Sequence, residues 1–255
     1  MHPMTRERIT EAPIAESKDL SDERIARWGR SQHEGFRKFK HRFLQPAPML
    51  FTQDHHPLWL GDMYRGRSAF LIAGGPSFAT LDHQLLRQPG VLTMGLNNSP
   101  KTFRPNLWVS VDAPDHFLRS IWLDPTITKF VPICHAAKPI FNSDTWEFME
   151  LRVGDCPNVV YFKRNEHFKA KQFLWEDCVN WGNHKDHGGG RSVMLAAIRI
   201  LFILGIRRVY LLGVDFNMNE TTKYHFEQDR KKGSITGNNA TYGQLNARFT
   251  ELRPY

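Results

Sequence analysis

At 255 residues and 41% hydrophobic content the chain can bury a substantial core, and one α/β domain with an appendage is the default architecture at that size. A formal net charge of +8 and a pI near 9.5 imply acidic partners (nucleotide phosphates, nucleic acid or anionic glycans) or simply a basic solvated surface. No run reaches the ~18 apolar residues of a membrane span: Val193–Gly205 is interrupted by Arg199, and Met1-His2-Pro3-Met4-Thr5-Arg6-Glu7 lacks the apolar centre of a signal peptide.

In chain order, residues 1–66 read as an extension and connector ahead of the sheet. Asp22-Glu23 opens a helix with acids at its positive end. Arg24, Arg27, Arg30, Arg37, Lys38, Lys40 and Arg42 interleave there with Trp28, Phe36, Phe39 and Phe43. Cations beside aromatics suit phosphates and exposed bases; the same spacing also docks a helix onto its own domain. Gln45–Gly66, rich in Pro, His and Gly, reads as an irregular connector.

Residues 67–255 read as one domain. The strand Ala69–Ala73 runs into Gly74-Gly75-Pro76-Ser77, a turn where glycine permits close approach of a ligand. The segment is therefore a candidate nucleotide or phosphate loop, or a plain structural turn. A short helix around Leu81–Leu86 follows. Strands are expected at Val91–Gly95, ending in Asn97-Asn98; at Leu107–Val111, ending in Asp112-Ala-Pro-Asp115; at Lys129–Ile133; and at Asn158–Phe162. Strands alternating with helices, each emptying into a polar tip, predict a mostly parallel sheet flanked by helices. Cys134, Cys156 and Cys178 share no metal spacing and fit reduced thiols in a cytoplasm.

Gly188-Gly189-Gly190 precedes Arg191-Ser192 and an apolar helix from Val193 to Leu204, with Gly205 as its stop. A glycine-rich turn feeding a helix offers N–H groups to an anion, with Arg191 and Ser192 adding donors; alternatively Ser192 only caps the helix. The strand Val209–Leu212 ends in Gly213-Val214-Asp215-Phe216. Arg230-Lys231-Lys232 and Gly233–Asn239 read as a lid, an acceptor loop or ordinary surface, and Tyr242–Leu252 as a helix. His184, Asp186 and His187 lack a metal-site spacing and read as loop residues.

The pairing of Leu71-Ile-Ala-Gly-Gly-Pro-Ser77 with Gly205-Ile-Arg-Arg-Val-Tyr-Leu-Leu-Gly-Val-Asp-Phe216 resembles the bacterial sialyltransferases of glycosyltransferase family 42. It also resembles the wider family of 6-hydroxymethylpterin diphosphokinases and flagellin-glycosylating motility accessory factors. The layout, extension included, looks most like versions encoded by bacteriophages, which would place the protein in a host cytoplasm. The resemblance spans about Ala69–Phe226 and implies a Rossmann-like domain, short of its last strand or with its sheet closed differently. It implies that Gly75, Pro76 and Ser77 lie against a nucleotide, that Gly74 replaces a donor-binding asparagine, and that Asn97 touches nucleotide or sugar. Ser192 matches a hydroxyl that holds the nucleotide, and Tyr224 a tyrosine on the donor phosphate. Asn217 stands where a second tyrosine is usual, and the usual histidine base is not visible in Gly233–Tyr242.

Glycosyl transfer needs a held donor, a stabilised leaving phosphate and a base. The expected nucleotide set is Gly74, Gly75, Pro76, Ser77, Asn97, Asn98, Ser192 and Gly213, around a CMP- or UDP-linked sugar. Arg191, Tyr224 and Ser192 would stabilise the leaving phosphate, and His225 is the first choice of base, with a structural histidine as the alternative. Asp215 would orient the ribose or a base, or cap a turn. Asp112 and Asp115 offer a Mg²⁺ site that this chemistry does not require; the simpler account is Asp112 capping a helix with Pro114 in its first turn. The acceptor would be a glycan or a modified DNA base. Two other functions stand beside it: a Mg-dependent diphosphokinase acting on a pterin-like alcohol, and a non-catalytic nucleic-acid or virion-associated module.

Overall fold

The structure, a computed structural model, describes residues 50–142, 145–165, 180–181, 192–217, 224–226 and 232–253. The basic aromatic stretch Arg24–Phe43, Cys178, His184, Asp186, His187, Gly188–Arg191 and Arg230-Lys231 lie outside the described residues.

The strands are β1 (Leu50–Phe51), β2 (Ser68–Ile72), β3 (Leu92–Leu96), β4 (Leu107–Val109), β5 (Thr128–Pro132), β6 (Pro139–Asn142), β7 (Glu147–Arg152), β8 (Val159–Phe162), β9 (Arg164–Asn165), β10 (Asn180–Trp181) and β11 (Arg208–Leu212). The α-helices are α1 (Arg119–Trp122), α2 (Val193–Ile203) and α3 (Lys232–Leu252). Seven strands form one sheet in the order β1-β8-β5-β4-β3-β2-β11, parallel except for β1. The fold is α/β with a mostly parallel sheet. Its chain path runs from β2 outward through β3, β4, β5 and β8, then returns to place β11 on the other side of β2.

The inner strands β3, β4 and β5 are buried on both faces, which is why they read as apolar runs rather than alternations. On one face Leu71, Met94, Leu107, Val109 and Phe130 pack against Leu195, Ala196, Ile200 and Leu201 of α2. On the other, Trp108, Val131 and Tyr161 meet Phe117, Ile121 and Trp122 around α1. Trp108 stands edge-on to Phe117 and Trp122, with ring centroids 5.1 Å away in each case. The predicted burial of α2 holds, and Gly205 stops the helix at φ +92°, where a side chain would be strained. Lys129 is also fully buried; its ammonium donates to the carbonyls of Asp124 (2.6 Å), Pro157 (2.8 Å) and Ile127 (3.1 Å). Burial nevertheless lowers it to about 8, because a desolvated ammonium is costly even when bonded.

Several expectations need correction. The connector is not wholly irregular: β1 pairs antiparallel with β8, and Leu50, Phe51 and Leu60 are buried. The helix expected around Leu81–Leu86 is two 3-10 turns, Pro76–Thr80 and His83–Arg87, the second capped by Asp82 accepting from Gln84 N–H. The Gly233–Asn239 loop is helical, because α3 starts at Lys232. Its C-terminal half buries Leu245 against the core, and once a helix is nucleated each added residue gains one hydrogen bond. The β6–β7 hairpin has no predicted counterpart. Its second strand is mostly exposed, so it shows no one-sided apolar pattern. Cys134 and Cys156 are free thiols, and no helix among the described residues is long and apolar enough to cross a membrane.

Candidate functional site

Strand order reverses at β2, so the loops leaving β2 and β11 diverge from adjacent carboxyl ends. Open α/β sheets bind ligands in that crevice. Here the two loops are laced together. Ala73 N–H donates to Leu212 O at 2.8 Å and Gly75 N–H to Gly213 O at 2.7 Å. The Asp215 carboxylate accepts from Ser77 N–H at 3.0 Å and, through its other oxygen, from the Ser77 hydroxyl.

Glycine makes this approach possible. A Cβ at Gly75 would lie 2.4 Å from Asp215 Oδ2 and 2.5 Å from Gly213 O. Gly213 sits at φ +65°, with Ala73 O 2.9 Å from where its Cβ would be. The close contact that these glycines permit is therefore made by the chain's own carboxylate. In the structure the Gly75 and Ser77 N–H groups of the expected phosphate loop are both bonded inside the protein.

A third segment closes over the loop. His225 N–H donates to Gly74 O at 3.2 Å. The His225 ring bonds Ala73 O through Nε2 at 2.9 Å and the Thr102 hydroxyl through Nδ1 at 2.7 Å. A carbonyl only accepts, so Nε2 carries the proton and, in the neutral ring, Nδ1 accepts from Thr102. Burial lowers the His225 pKa, against the bond to Ala73, which raises it; His83 lowers it further. This geometry sets His225, the expected base, inside the protein's own hydrogen bonding. Both nitrogens are engaged with the protein, and the ring latches the β2 and β3 loops together.

Tyr224 explains Gly74. A Cβ there would lie 2.9 Å from Tyr224 Cδ1 and 3.3 Å from Phe226 Cε1, so an asparagine, which the resembled family carries there, would have to displace the Tyr224 ring. The rings of Tyr224 and Phe226 are tilted together at 4.8 Å, and the Lys101 ammonium lies 5.9 Å from the Phe226 centroid.

The structure thus gathers Gly74, Gly75, Pro76, Ser77, Gly213, Asp215, Tyr224 and His225 at one crest. Asn97 and Asn98 follow β3 at the same end but hold the scaffold. Asn97 takes φ +47°, accepts from Trp108 Nε1 at 2.7 Å, and its Oδ1 accepts from the Ser110 hydroxyl at 3.3 Å. Asn98 Nδ2 donates to His116 O at 3.3 Å. Ser192 caps α2 by accepting from Met194 N–H at 3.1 Å, the simpler of its two predicted roles. Arg191 lies outside the described residues.

Asp112 does not cap the following turn; Ala113 holds that position, with Pro114 first in the 3-10 helix Pro114–His116. Among the described residues no three His, Cys, Asp or Glu side chains gather to hold a metal. Asp112 and Asp115 are thus joined by no third such side chain among the described residues, and Mg²⁺ held there would take its remaining ligands from water and substrate phosphates. Thr102, Phe78 and Lys101 were missed by sequence reasoning. Phe78 packs 4.8 Å from the His225 ring and 4.3 Å from that of His83. None of the three belongs to a motif, so only the fold places them. Compared with known proteins, the chain matches no family model, no curated protein and no solved structure.

Proposed function

We propose that the protein is a nucleotide-sugar-dependent glycosyltransferase, with a Rossmann-like domain that binds a CMP- or UDP-linked donor where the strand order reverses. The acceptor is a hydroxyl on a glycan or on a modified DNA base. The observation that carries this reading is the tie across the reversal: Asp215, at the tip of β11, is oriented by Ser77 at the tip of β2.

A carboxylate has about four lone-pair directions, and Ser77 uses two of them. The rest suit ribose hydroxyls, the partner that an acidic residue takes in dinucleotide-binding folds. With His225 held by the protein, Asp215 is also the member of the expected catalytic set best able to take the acceptor's proton. Tyr224, Lys101 and Arg191 supply donors and charge for the leaving phosphate. His225 is a positioning residue here, not a catalytic one.

Titration calorimetry with CMP, UDP and GDP tests the reading. One nucleotide should bind, and Asp215→Asn should weaken it at least tenfold while the fold is retained. If none of the three binds the wild-type protein, the proposal fails. A diphosphokinase would instead require Mg²⁺ and lose activity to EDTA and to Asp112→Asn.

A further inference from the structure

The opposite tip of the same two strands holds a second feature. Ser68 and Arg208 are the paired first residues of β2 and β11. Around them a cavity of about 550 Å³ is lined by Asp62, Arg65, Gly66, Arg67, Ser68, Gly205, Arg207 and Arg208. Four arginines and one aspartate thus line it, a formal excess of three positive charges.

The floor of this cavity is fixed by backbone. Asp62 N–H donates to Ile203 O at 2.9 Å and Tyr64 N–H to Leu204 O at 2.7 Å, so the turn before β2 caps the carboxyl end of α2. Arg65 N–H closes back onto Asp62 O at 3.0 Å, and Arg67 N–H onto Tyr64 O at 3.0 Å. Gly205 permits the docking: its Cβ would stand 2.8 Å from Asp62 Cα and 2.9 Å from Arg65 N. Two segments far apart in sequence thus present their arginines from a common frame.

The single carboxylate does not balance the cations. Asp62 pairs with Arg65 and lies 3.8 Å from Arg207. Arg207 also donates to Phe202 O at 2.7 Å and to Ile206 O at 3.1 Å, and its guanidinium lies 4.1 Å from the Phe202 ring centroid. Arg67 donates to Gly90 O at 3.3 Å. These bonds engage part of the Arg65, Arg67 and Arg207 forks, while a guanidinium carries five donors. Burial pushes the Arg207 pKa down; Asp62 opposes this and Arg65 adds to it. Like charges held together on a fixed floor are stabilised by an anion, and arginine forks match phosphate oxygens bidentately.

We propose that this cavity is a phosphate-binding site, separate from the crest at the other end of the sheet. Its ligand is a diphosphate or the phosphodiester backbone of single-stranded nucleic acid, and the test separates the two sources. The probes are inorganic pyrophosphate, followed by calorimetry, and a labelled twelve-residue oligodeoxythymidylate, followed by anisotropy, both on the full chain in low salt.

Arg65→Gln/Arg208→Gln should weaken the probe that binds at least tenfold. Lys138→Gln/Arg87→Gln removes the same charge from exposed positions outside the cavity and should change affinity less than twofold. Asp62→Asn should tighten binding about threefold or more. Loss confined to pyrophosphate assigns a free diphosphate; loss confined to the oligonucleotide assigns a backbone. If neither probe binds, or if the two double variants lose affinity equally, the site does not exist. None of these variants touches the crest, so this result and that of the nucleotide titration stand or fall separately.

Discussion

The β2–β11 pair ends in two different ways. At its carboxyl tip the loops are bonded to one another: Gly75 to Gly213, Ser77 to Asp215, and His225 to Ala73 and Thr102. At its amino tip four arginines and a single carboxylate line one cavity. A glycine-rich loop and a run of arginines carry similar weight as anion motifs in a sequence. The structure separates them, because the loop brings its own counter-anion and the arginines do not bring enough. Substitutions that break the backbone ties at the crest should therefore register in stability, whereas arginine substitutions at the amino tip should register in anion affinity and barely in stability.

Glycine substitutions should produce the largest effects, because both tips have rigid backbones. Gly75→Ala drives a Cβ to 2.4 Å from Asp215 Oδ2 and 2.5 Å from Gly213 O. Backbone cannot swing away as a side chain can, so overpacking should cost about 3 kcal/mol. Gly205→Ala meets backbone atoms of Asp62 and Arg65 within 3 Å and sits at φ +92°, and its cost should be about the same. Denaturant midpoints at constant m-value check both. A cost under about 1 kcal/mol at either glycine would mean that its tip is loose.

Asp215→Ala comes next. It leaves Ser77 N–H and hydroxyl without their acceptor, and hydrogen bonds to a charged group contribute roughly 1.5–3 kcal/mol each when shielded. Ser77 is exposed, so water replaces part of that; a net loss of about 2 kcal/mol is expected. Ser77→Ala, which keeps the N–H bond, should cost less than half as much. Equal costs would show that the hydroxyl, not the backbone, carries the tie.

His225→Gln removes the latch and should cost about 1–2 kcal/mol. It also tests a pH dependence. Burial holds the His225 pKa below its usual 6.5 in the folded protein, so below that pH the unfolded chain binds more protons than the folded one. Stability must then fall as pH drops from about 6.5 toward the folded value. Wild-type midpoints between pH 7.5 and 5.5 should show this slope, and His225→Gln should flatten it. If the slope survives the substitution, another group is responsible.

The sequence carried the fold further than it carried the site. Apolar runs such as Leu71-Ile72 and Leu107–Val109 are buried on both sides, so they announced themselves and their polar tips. The hairpin of Pro139–Arg152 did not, because its exposed second strand has no core face to pattern it. At the crest the residues that come together were legible and their contacts were not. Gly75 has the same signature whether the group approaching it is a phosphate or Asp215, some 140 residues later. The latch depends on Thr102, which belongs to no motif and reaches His225 only through the fold. The cavity stayed hidden for the same reason: Arg65 and Arg67 meet Arg207 and Arg208 only because β2 and β11 are neighbours.

The smallest expected stability effect is at that cavity, and it carries the contrast furthest. Arg65 pairs with Asp62, but the Arg65 side chain is 76% exposed and that of Asp62 33%. Exposed pairs contribute about 0–1 kcal/mol. Removing this one also relieves Arg207 of a neighbouring like charge, which Asp62 alone then faces. The two changes oppose each other, so Arg65→Gln should shift stability by no more than about 0.5 kcal/mol in either direction. Thermal midpoints in low salt, with and without pyrophosphate, read both halves of the comparison. Without the anion the wild type and the variant should melt together. With it, only the wild type should gain, since a ligand stabilises by an amount set by its occupancy of the folded state. A variant that melts well below the wild type without the anion would make Arg65 a structural residue, and the two tips would then differ in degree rather than in kind.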